Sequence, residues 1–451
     1  MKIGKIAFRS GIQWFAMLAG LFFASSIMGQ ETWSLRKCIE YAKDNNLSIK
    51  QAQTGVALAS LTDKQNKLAR LPSLNGSSSA GMQFGRTIDP TTNSFNNERI
   101  SFNSFGLNAS APIYSGGFIN NSIKQGKLDV QAAEADVQTT FNTVAVGIAS
   151  AYLQILMAEE QLEAAKARRN LSNRQLEQVE KLIQAGTLPA NDRLDVLAQI
   201  ARDEQTIIQA QNLIDVSMLN LKELMQLDPN TDIKLERPAV VVPADANPDA
   251  ISFRETYASA LSNQPQIKAD EFRLQSAETD VDIAKSALLP TLTAFGGLDT
   301  RWSSASKIGV ISGEEIVTQT VFIDNTPVTV GFPQDVYSFS NNPYFDQLNE
   351  NFGQNIGLSL QVPIFNNGRN GINVQRSEVA ILNAKLQSDL TKQQLKTDVL
   401  SALTNARSAR LALAAAQKSV DAAQAAFGNA ERRFTLGSIN SLELTTALNN
   451  L

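Results

Sequence analysis

This chain carries one passage twice, so any fold it adopts must accommodate two equivalent halves. Arg36–Leu74 and Arg254–Leu292 stand in gapless register at an offset of 218. Arg36, Ala42, Asn45, Ile49, Lys50, Ala59, Lys67, Ala69, Leu71, Pro72 and Leu74 meet identical residues in the second copy. Both copies close on the phrase Ala-x-Leu-Pro-x-Leu, at Ala69–Leu74 and Ala287–Leu292. A second register, at an offset of 251, sets Gly106-Leu107 on Gly357-Leu358 and Pro112–Gly117 on Pro363–Gly368. It still holds far downstream, where Leu162, Ala164, Ala165, Glu180 and Gly186 meet Leu413, Ala415, Ala416, Glu431 and Gly437. The change of offset puts 33 extra residues into the second copy, within the polar stretch Ser303–Asn351. Self-similarity of this kind marks a fold built from repeated units.

Each copy reads as helix, strand, loop, strand, very long helix, turn and returning helix. The opening helix covers Ser34–Leu71, breaks at Asn45-Asn46 and is ended by Pro72. Strands are expected at Leu74–Ile88, Arg99–Ile113, Leu292–Trp302 and Phe352–Ile364. Phe352–Ile364 shows the pattern best: Phe352, Ile356, Leu358, Leu360, Val362 and Ile364 point one way, and Gly353, Asn355, Gly357, Ser359 and Gln361 the other. One apolar and one small polar face suits a barrel strand between lipid and water. A soluble sandwich strand with one buried face alternates in the same way, so this pattern alone leaves the choice open.

The long helices narrow the choice. Phe118–Ala185 and its twin Arg369–Leu436 contain no proline, and each runs to roughly 100 Å at the helical rise. Such helices do not fit inside one globular core and imply a coiled-coil-like wall. The Ala-rich sequence around Ala132, Ala133, Ala135 and Ala151 permits close helix approach. The halves are joined by Asp228–Ser252, whose four prolines read as a linker. The expected organisation is a leader over 1–29, a first repeat over 30–227, a linker over 228–252 and a second repeat over 253–451.

The leader rests on Lys2, Lys5 and Arg9 ahead of a mostly apolar run from Ile12 to Met28, with a cleavage point at Gly29-Gln30. An N-terminal membrane anchor is the competing reading. No later stretch offers about 18 uninterrupted apolar residues, so a membrane crossing is expected through β-strands. A net charge of −4 gives no reason to expect a nucleic-acid partner. Basic runs such as Lys166–Arg169 and Glu431–Arg433 read as solvated helix faces. The single cysteine, Cys38, excludes an internal disulfide and reads as a buried small residue. The absence of histidine removes Ser-His-Asp triads and the commonest zinc sites. Gly126-Lys127 lacks the surrounding glycine pattern of a phosphate loop. No catalytic residue, metal site or cofactor is expected.

Four strands per chain cannot close a barrel, since single-chain bacterial barrels need about eight or more. Open edges in lipid are not viable, so several copies must share one barrel.

Four features, each occurring twice and in the same order, resemble the TolC family of outer-membrane factors. They are the opening helix Leu35–Ala42 with Asn45-Asn46, the Leu-Pro-x-Leu strand entry, the strand-to-helix hinge and the glycine-containing tip turn. The hinges, Pro112–Gly117 and Pro363–Gly368, are similar to that family's Pro-Leu-Phe-x-x-Gly pattern. The tip turns are Ala185–Leu197 and Leu436–Leu444. The resemblance spans nearly all of 33–451. It implies a membrane α+β protein of internal two-fold repeat: an outer-membrane β-barrel shared between protomers and continued by a periplasmic α-helical coiled-coil barrel. It further implies a homotrimer with a twelve-stranded barrel that contacts outer-membrane lipid. The chain would be the passive duct of a tripartite efflux or type I secretion system. Its partners would be a periplasmic membrane-fusion adaptor and an inner-membrane pump of the RND, ABC or MFS type. The cargo, drug, metal ion or protein, stays open. A secreted structural or adhesive coiled-coil protein is the alternative; it explains the leader and long helices but not duplicated strand pairs with hinges.

Site residues follow from the same resemblance. Pro112, Gly116, Gly117, Pro363 and Gly368 would form the hinges, with proline ending strand pairing and glycine redirecting the chain. Gly186, Thr187, Leu188, Gly437, Ser438 and Ile439 would form adaptor-docking tips, with Leu188 and Ile439 exposed; ordinary helix connections are the plain alternative. Gly186 and Gly437 would close helices in the left-handed conformation, and Asn191 or Asp192, and Ser441, would cap the helices that follow. The constriction would be acidic and lined by Glu443, Asp192 and Asp195. Thr446 stands where the family carries a second acid, and Ile439 where some relatives carry an arginine latch. The competing reading is that these acids only favour helix N-termini. Two departures stand out. Ser303–Asn351 exceeds its counterpart Asp89–Glu98 and is expected to hold a hairpin of Ile316–Ile323 and Val328–Phe332. The second returning helix is expected to be cut short relative to its twin, which reaches Leu227.

Overall fold

The computed structural model describes residues 32–88, 93–97, 99–238 and 247–451. The leader expected at 1–29 and the middle of the linker lie outside the described residues. The first half holds β1 (Thr32–Trp33), α1 (Leu35–Asn45), α2 (Leu47–Leu68), β2 (Ser73–Gln83), β3 (Thr87–Ile88), β4 (Phe95–Asn96), β5 (Ile100–Tyr114), α3 (Phe118–Gln184) and α4 (Asp192–Met225). After β6 (Lys234–Leu235), the second half holds α5 (Phe253–Asn263), α6 (Pro265–Ser286), β7 (Thr291–Ser303), β8 (Lys307–Ile323), β9 (Thr326–Asn341), α7 (Tyr344–Glu350), β10 (Gly353–Gln361), α8 (Arg369–Thr435) and α9 (Ser441–Asn450). The twin helices α3 and α8 are each 67 residues long. The chain divides into two compact units, one of Met1–Gly55, Glu134–Ile267 and Lys392–Leu451, the other of Val56–Ala133 and Lys268–Thr391.

In the first unit, Ser34 starts α1 by accepting the N–H of Lys37 at its hydroxyl, 3.3 Å away. Asn46 explains the break expected at Asn45-Asn46. It ends α1, and its side-chain oxygen then accepts the N–H groups of Ser48 (2.9 Å) and Ile49 (3.3 Å) to open α2. Its amide also donates to the Leu224 carbonyl at 2.7 Å, tying this break to α4. Trp33, Cys38, Ile148, Tyr152, Leu221 and Met225 are buried together. Tyr152 donates its hydroxyl hydrogen to the Trp33 and Glu236 carbonyls. Burial raises Cys38 to about 11 and Tyr152 to about 12, because the apolar surroundings disfavour both anions.

One expectation is corrected here. The segment after Asp228 is not wholly an irregular linker: Ile233 and Leu235 are buried, and β6 pairs in parallel with β1. Among the described residues, α3 is one helix long and apolar enough to cross a membrane by length and composition alone, though polar residues such as Asn142 and Gln154 interrupt its apolar stretch. Its Ile148, Tyr152 and Ile155 nevertheless sit in the protein's own core.

In the second unit, four strands form an antiparallel sheet in the order β10-β7-β5-β2. The register sets Leu107 between Gly76 and Leu298, and Ile356 beside Gly296, so Leu107, Leu298, Ile356, Leu358 and Leu360 share one face. Ser77, Ser79, Asn108, Asp299 and Asn355 share the other. Both faces are open to solvent in the single chain; Ile356 is 93% exposed. On the polar face two aromatic rings lie over glycines, Phe102 on Gly81 and Phe295 on Gly357. A Cβ on either glycine would meet a ring carbon at 2.7 Å.

Strand β2 stops at Gln83 instead of reaching Ile88, because Gly85 turns the chain with φ +91°. The hairpin in the second-half insert is longer than expected, with β8 and β9 pairing from Lys307↔Asn341 to Ile323↔Thr326. Asp324 (φ 52°) and Asn325 (φ 68°) form its two-residue turn, both in the left-handed region such hairpins require.

Candidate functional site

The two tip turns come together in the first unit. Gly186 (φ +73°) and Gly437 (φ +71°) close α3 and α8 as expected. At the first tip, the N–H groups of Gly186 and Thr187 bond to the Ile183 and Leu182 carbonyls; at the second, those of Gly437 and Ser438 bond to the Phe434 and Arg433 carbonyls. This reciprocal pattern satisfies the last helix carbonyls. Val179 of α3, Val196 of α4, Phe434 of α8, Ile439 of the turn and Leu444 of α9 are buried in one cluster.

That cluster corrects the expectation that Ile439 and Leu188 are offered at the surface. Ile439 is buried, and Leu188 is half-buried against the cluster. The exposed apolar residues at this end include Leu436 (82%), Leu442 (64%) and Leu194 (62%). Gly186, Thr187, Gly437 and Ser438 are exposed. The caps differ too. Asn440, not Ser441, caps α9 by accepting the N–H of Glu443 at 2.9 Å, while Ser441 is buried. Asn191 precedes α4 in helical conformation and makes no side-chain cap bond; Asp192 is already that helix's first residue.

The four proposed constriction residues occupy the first two turns of two helices. Asp192 and Asp195 open α4, with Asp192 half-buried and Asp195 exposed; Glu443 and Thr446 lie on α9, both exposed. Thr446 donates its hydroxyl to the Leu442 carbonyl at 2.8 Å. Among the described residues, none of the three carboxylates has an ion-pair or hydrogen-bond partner. Position at a helix N-terminus favours each by about 0.5 kcal/mol, a surface effect. Glu180 and Arg193 pair nearby at 3.6 Å.

A buried polar network joins α3, α4 and α9 behind these tips. Asp203, almost fully buried, accepts hydrogen bonds from Ser172 (2.6 Å) and Gln199 (2.8 Å) and pairs with Arg168 at 3.2 Å. Arg168 also donates to the Asn449 side chain, and Gln175 donates to Thr445 at 3.0 Å. The basic run at Lys166–Arg169 is therefore not merely a solvated face. Sequence reasoning missed this network because Arg168 and Asp203 lie 35 positions apart among many other charges, and nothing local marks them as partners.

In the second unit, the first hinge turns at Gly116 (φ +62°) and Gly117 (φ +89°), the second at Asn367 (φ 57°) and Gly368 (φ +74°). Pro363 lies beyond the end of β10, as expected. Pro112 does not end pairing: it still faces Thr293, a bulge follows, and the ladder resumes at Tyr114↔Leu292.

The family model described as "Outer membrane efflux protein" matches residues 38–225 and 256–451, the two copies of the repeat. "Outer membrane protein TolC" of Escherichia coli (strain K12) is 23% identical over 248 residues, which cover 53% of this chain and 50% of that protein. The chain thus spans about half the length of this relative. "Outer membrane efflux protein BepC" of Brucella suis biovar 1 (strain 1330) is 21% identical over 438 residues, covering 96% of this chain and 83% of that protein. The CmeC outer membrane channel of Campylobacter jejuni shares the fold, with a TM-score of 0.73 and 18% identity, covering 92% of this chain and 79% of that one. These matches leave the secreted coiled-coil alternative without support.

Proposed function

Since the chain belongs to the outer membrane efflux protein family, we propose that it is one protomer of a trimeric export channel in the outer membrane. The observation that carries this is the four-stranded sheet with two open edges, β2 and β10, and one apolar face opposite a polar one. In lipid such edges must be paired, and pairing β10 of one copy with β2 of the next does so without changing strand direction. The apolar face would meet lipid, and the face with Ser77, Asn108, Asp299 and Asn355 would line a water-filled lumen. The helical part would stand in the periplasm. Transport would be passive, and the energy would come from an inner-membrane pump reached through an adaptor.

Within that channel, the acids of α4 and α9 would form the narrowest point. Copies of Glu443, supported by Asp192 and Asp195, would bring like charges together on the axis and favour cations. Their freedom from protein partners supports this role, and Thr446 in place of a second acid would weaken the selectivity. The proposed test is reconstitution of the full chain in planar bilayers, after mass measurement in detergent. A trimer with cation-preferring conductance is expected, and Glu443→Gln should lower that preference. A monomer that does not conduct would overturn the channel reading. A conducting trimer in which Glu443→Gln changes neither conductance nor preference would remove the acidic constriction.

A further inference from the structure

The short helix α7 has no part in the channel reading, yet it is fixed to the sheet at several points. The buried side chain of Gln347 accepts the N–H of Ser303 at 2.9 Å and donates to the Asn342 carbonyl at 2.8 Å. It thereby bridges the chain where it enters and leaves the β8–β9 hairpin. Thr300 donates its hydroxyl to the Leu348 carbonyl at 2.6 Å, and the Asn351 amide donates to the Arg301 carbonyl at 2.9 Å. Trp302 packs on Tyr344 with ring centres 5.5 Å apart, and Tyr344 meets Phe345 edge-on at 5.4 Å.

These contacts set α7 on the apolar face of the sheet. Trp302 and Thr300 alternate along β7 with Leu298 and Leu292, so all four share that face. The helix itself is two-sided. Tyr344, Leu348 and Phe345 fall within an arc of about 100°, and Asn349, Asp346 and Glu350 within the next. Phe345 is 79% exposed. Phe352, just past the helix, is half exposed and lines a cavity with Phe105, Leu298 and Thr300.

The height of α7 on the sheet points to the partner. At the helix end of the same face, Tyr114 stands opposite Leu292 and is half exposed. Trp302 lies ten residues further along β7. At ~3.3 Å per residue and a strand tilt of about 40°, the two levels are roughly 25 Å apart, the height of the apolar band of an outer-membrane barrel. The face also changes character there. Between the two levels it carries Leu107, Leu298, Ile356 and Leu358; beside Thr300 and Trp302 it carries Ser78 and Asn103. Gln354, level with Leu298, stands on the open edge strand β10. Tyr and Trp rings collect where acyl chains meet headgroups, because one end of each is apolar and the other polar. At that border the Thr300 hydroxyl needs an acceptor, and the Leu348 carbonyl supplies it.

We propose that α7 is a membrane anchor at the end of the barrel opposite the helices. Phe345, backed by Tyr344 and Trp302 and joined by Phe352, inserts among the acyl chains at the border of the outer leaflet. Asp346, Asn349 and Glu350 stay in the headgroup water. The occupant is membrane lipid, continuous with the lipid that covers Leu107 and Leu298. The inference rests on the reading that this sheet is part of a lipid-embedded barrel.

The test is depth-dependent fluorescence quenching of the full chain in phosphatidylcholine vesicles. Nitrobenzoxadiazole is attached to single added cysteines; Cys38 is buried and adds no background. The labelled variants are Phe345→Cys, Asp346→Cys and, as a mid-band control, Leu107→Cys. Lipid nitroxide near the headgroup should quench the Phe345→Cys label about twofold more than nitroxide deep in the chain, and the Leu107→Cys label should show the reverse. Aqueous iodide should quench the Asp346→Cys label about threefold more than the Phe345→Cys label. With Phe345 in place, a label at Phe352→Cys should read the same shallow depth. Adding Phe345→Ser should then raise its quenching by iodide about twofold, and Phe345→Leu should not. Unchanged quenching with Phe345→Ser would overturn the anchoring role. A Leu107→Cys label in lipid with a Phe345→Cys label open to iodide would overturn the anchor and leave the barrel standing. So would a Phe345→Cys label that neither quencher reaches, because protein from a second copy would then cover it. If iodide reaches Leu107→Cys and nitroxide does not, the lipid-embedded barrel falls and the anchor with it.

Discussion

The carboxylate of Asp203 on α4 accepts a 2.6 Å hydrogen bond from the Ser172 hydroxyl on α3. The same carboxylate holds Gln199 and Arg168, so three side chains depend on one buried acid. Asp203→Ala leaves two buried donors and one half-exposed guanidinium without their acceptor. A loss of about 2–3 kcal/mol is expected, discounted for the solvent that reaches Arg168. Asp203→Asn keeps an acceptor oxygen and should lose less. Urea midpoints of the detergent-solubilised protein check both, and equal midpoints for Asp203→Ala and the parent would show that the network does not stabilise the fold.

The two hinges should differ in tolerance. A Cβ at Gly116 would meet the Ser286 carbonyl oxygen at 2.6 Å and the Leu289 Cβ at 2.9 Å, in a backbone conformation that already disfavours side chains. Neither contact belongs to a flexible side-chain end. Gly116→Ala should therefore cost about 3 kcal/mol or more, combining left-handed strain with overpacking. At Gly368 no atom lies within 4 Å, so Gly368→Ala should cost only the strain, about 1 kcal/mol. Thermal dissociation of the two variants, measured side by side, tests the ranking.

The proposed docking of an adaptor at the tips is better probed beside the glycines than at them. Any residue at Gly186 or Gly437 strains the turn, so a lost contact and a distorted tip would look alike. Leu436 and Leu442 are exposed and lie in or beside the second tip. Leu436→Glu and Leu442→Glu should leave assembly intact while weakening adaptor binding on the order of tenfold. Pull-down titration with the purified adaptor reads this out; unchanged affinity in both would move the docking surface elsewhere.

Cys38 gives the first unit an alkaline sensitivity. Its thiol is raised from 9.0 to about 11, so between those values the folded protein keeps a proton that the unfolded chain releases. Stability from this group is present in full below pH 9 and is lost as pH rises through the folded value. Tyr152 joins only from pH 10 upward, because its ordinary value is 10.0 and its folded value about 12. Unfolding free energy should thus fall between pH 9 and 10, and Cys38→Ala should flatten that interval. Maleimide at neutral pH should label Cys38 only after unfolding.

Much of the architecture was legible from the chain because its signals are local. Proline-free runs between glycines set the ends of α3 and α8 within a residue or two, and alternation located all four sheet strands. Asn45-Asn46 marked a break that Asn46 enforces through its own side chain. The misses have one cause in common. Ile439 reads as exposed from its place in a turn, yet Phe434 and Val196 cover it. Asn440 and Ser441 are both good caps by type, and only the backbone angles choose Asn440. Pro112 reads as a ladder end, yet a bulge lets pairing resume at Tyr114.

The sequence by itself determined the two-fold repeat, the long helices, the hinge and tip glycines and the two-faced strands. These depend on periodicity, on proline's missing donor and on glycine's access to positive φ, all of which act over a few residues. Only the tertiary structure decided that Arg168 serves Asp203, that β6 pairs with β1, and that Gln347 roots the β8–β9 hairpin. Those pairings join residues far apart in the chain. Each donor or acceptor could be satisfied by water in the unfolded state, so burial alone makes a particular partner obligatory.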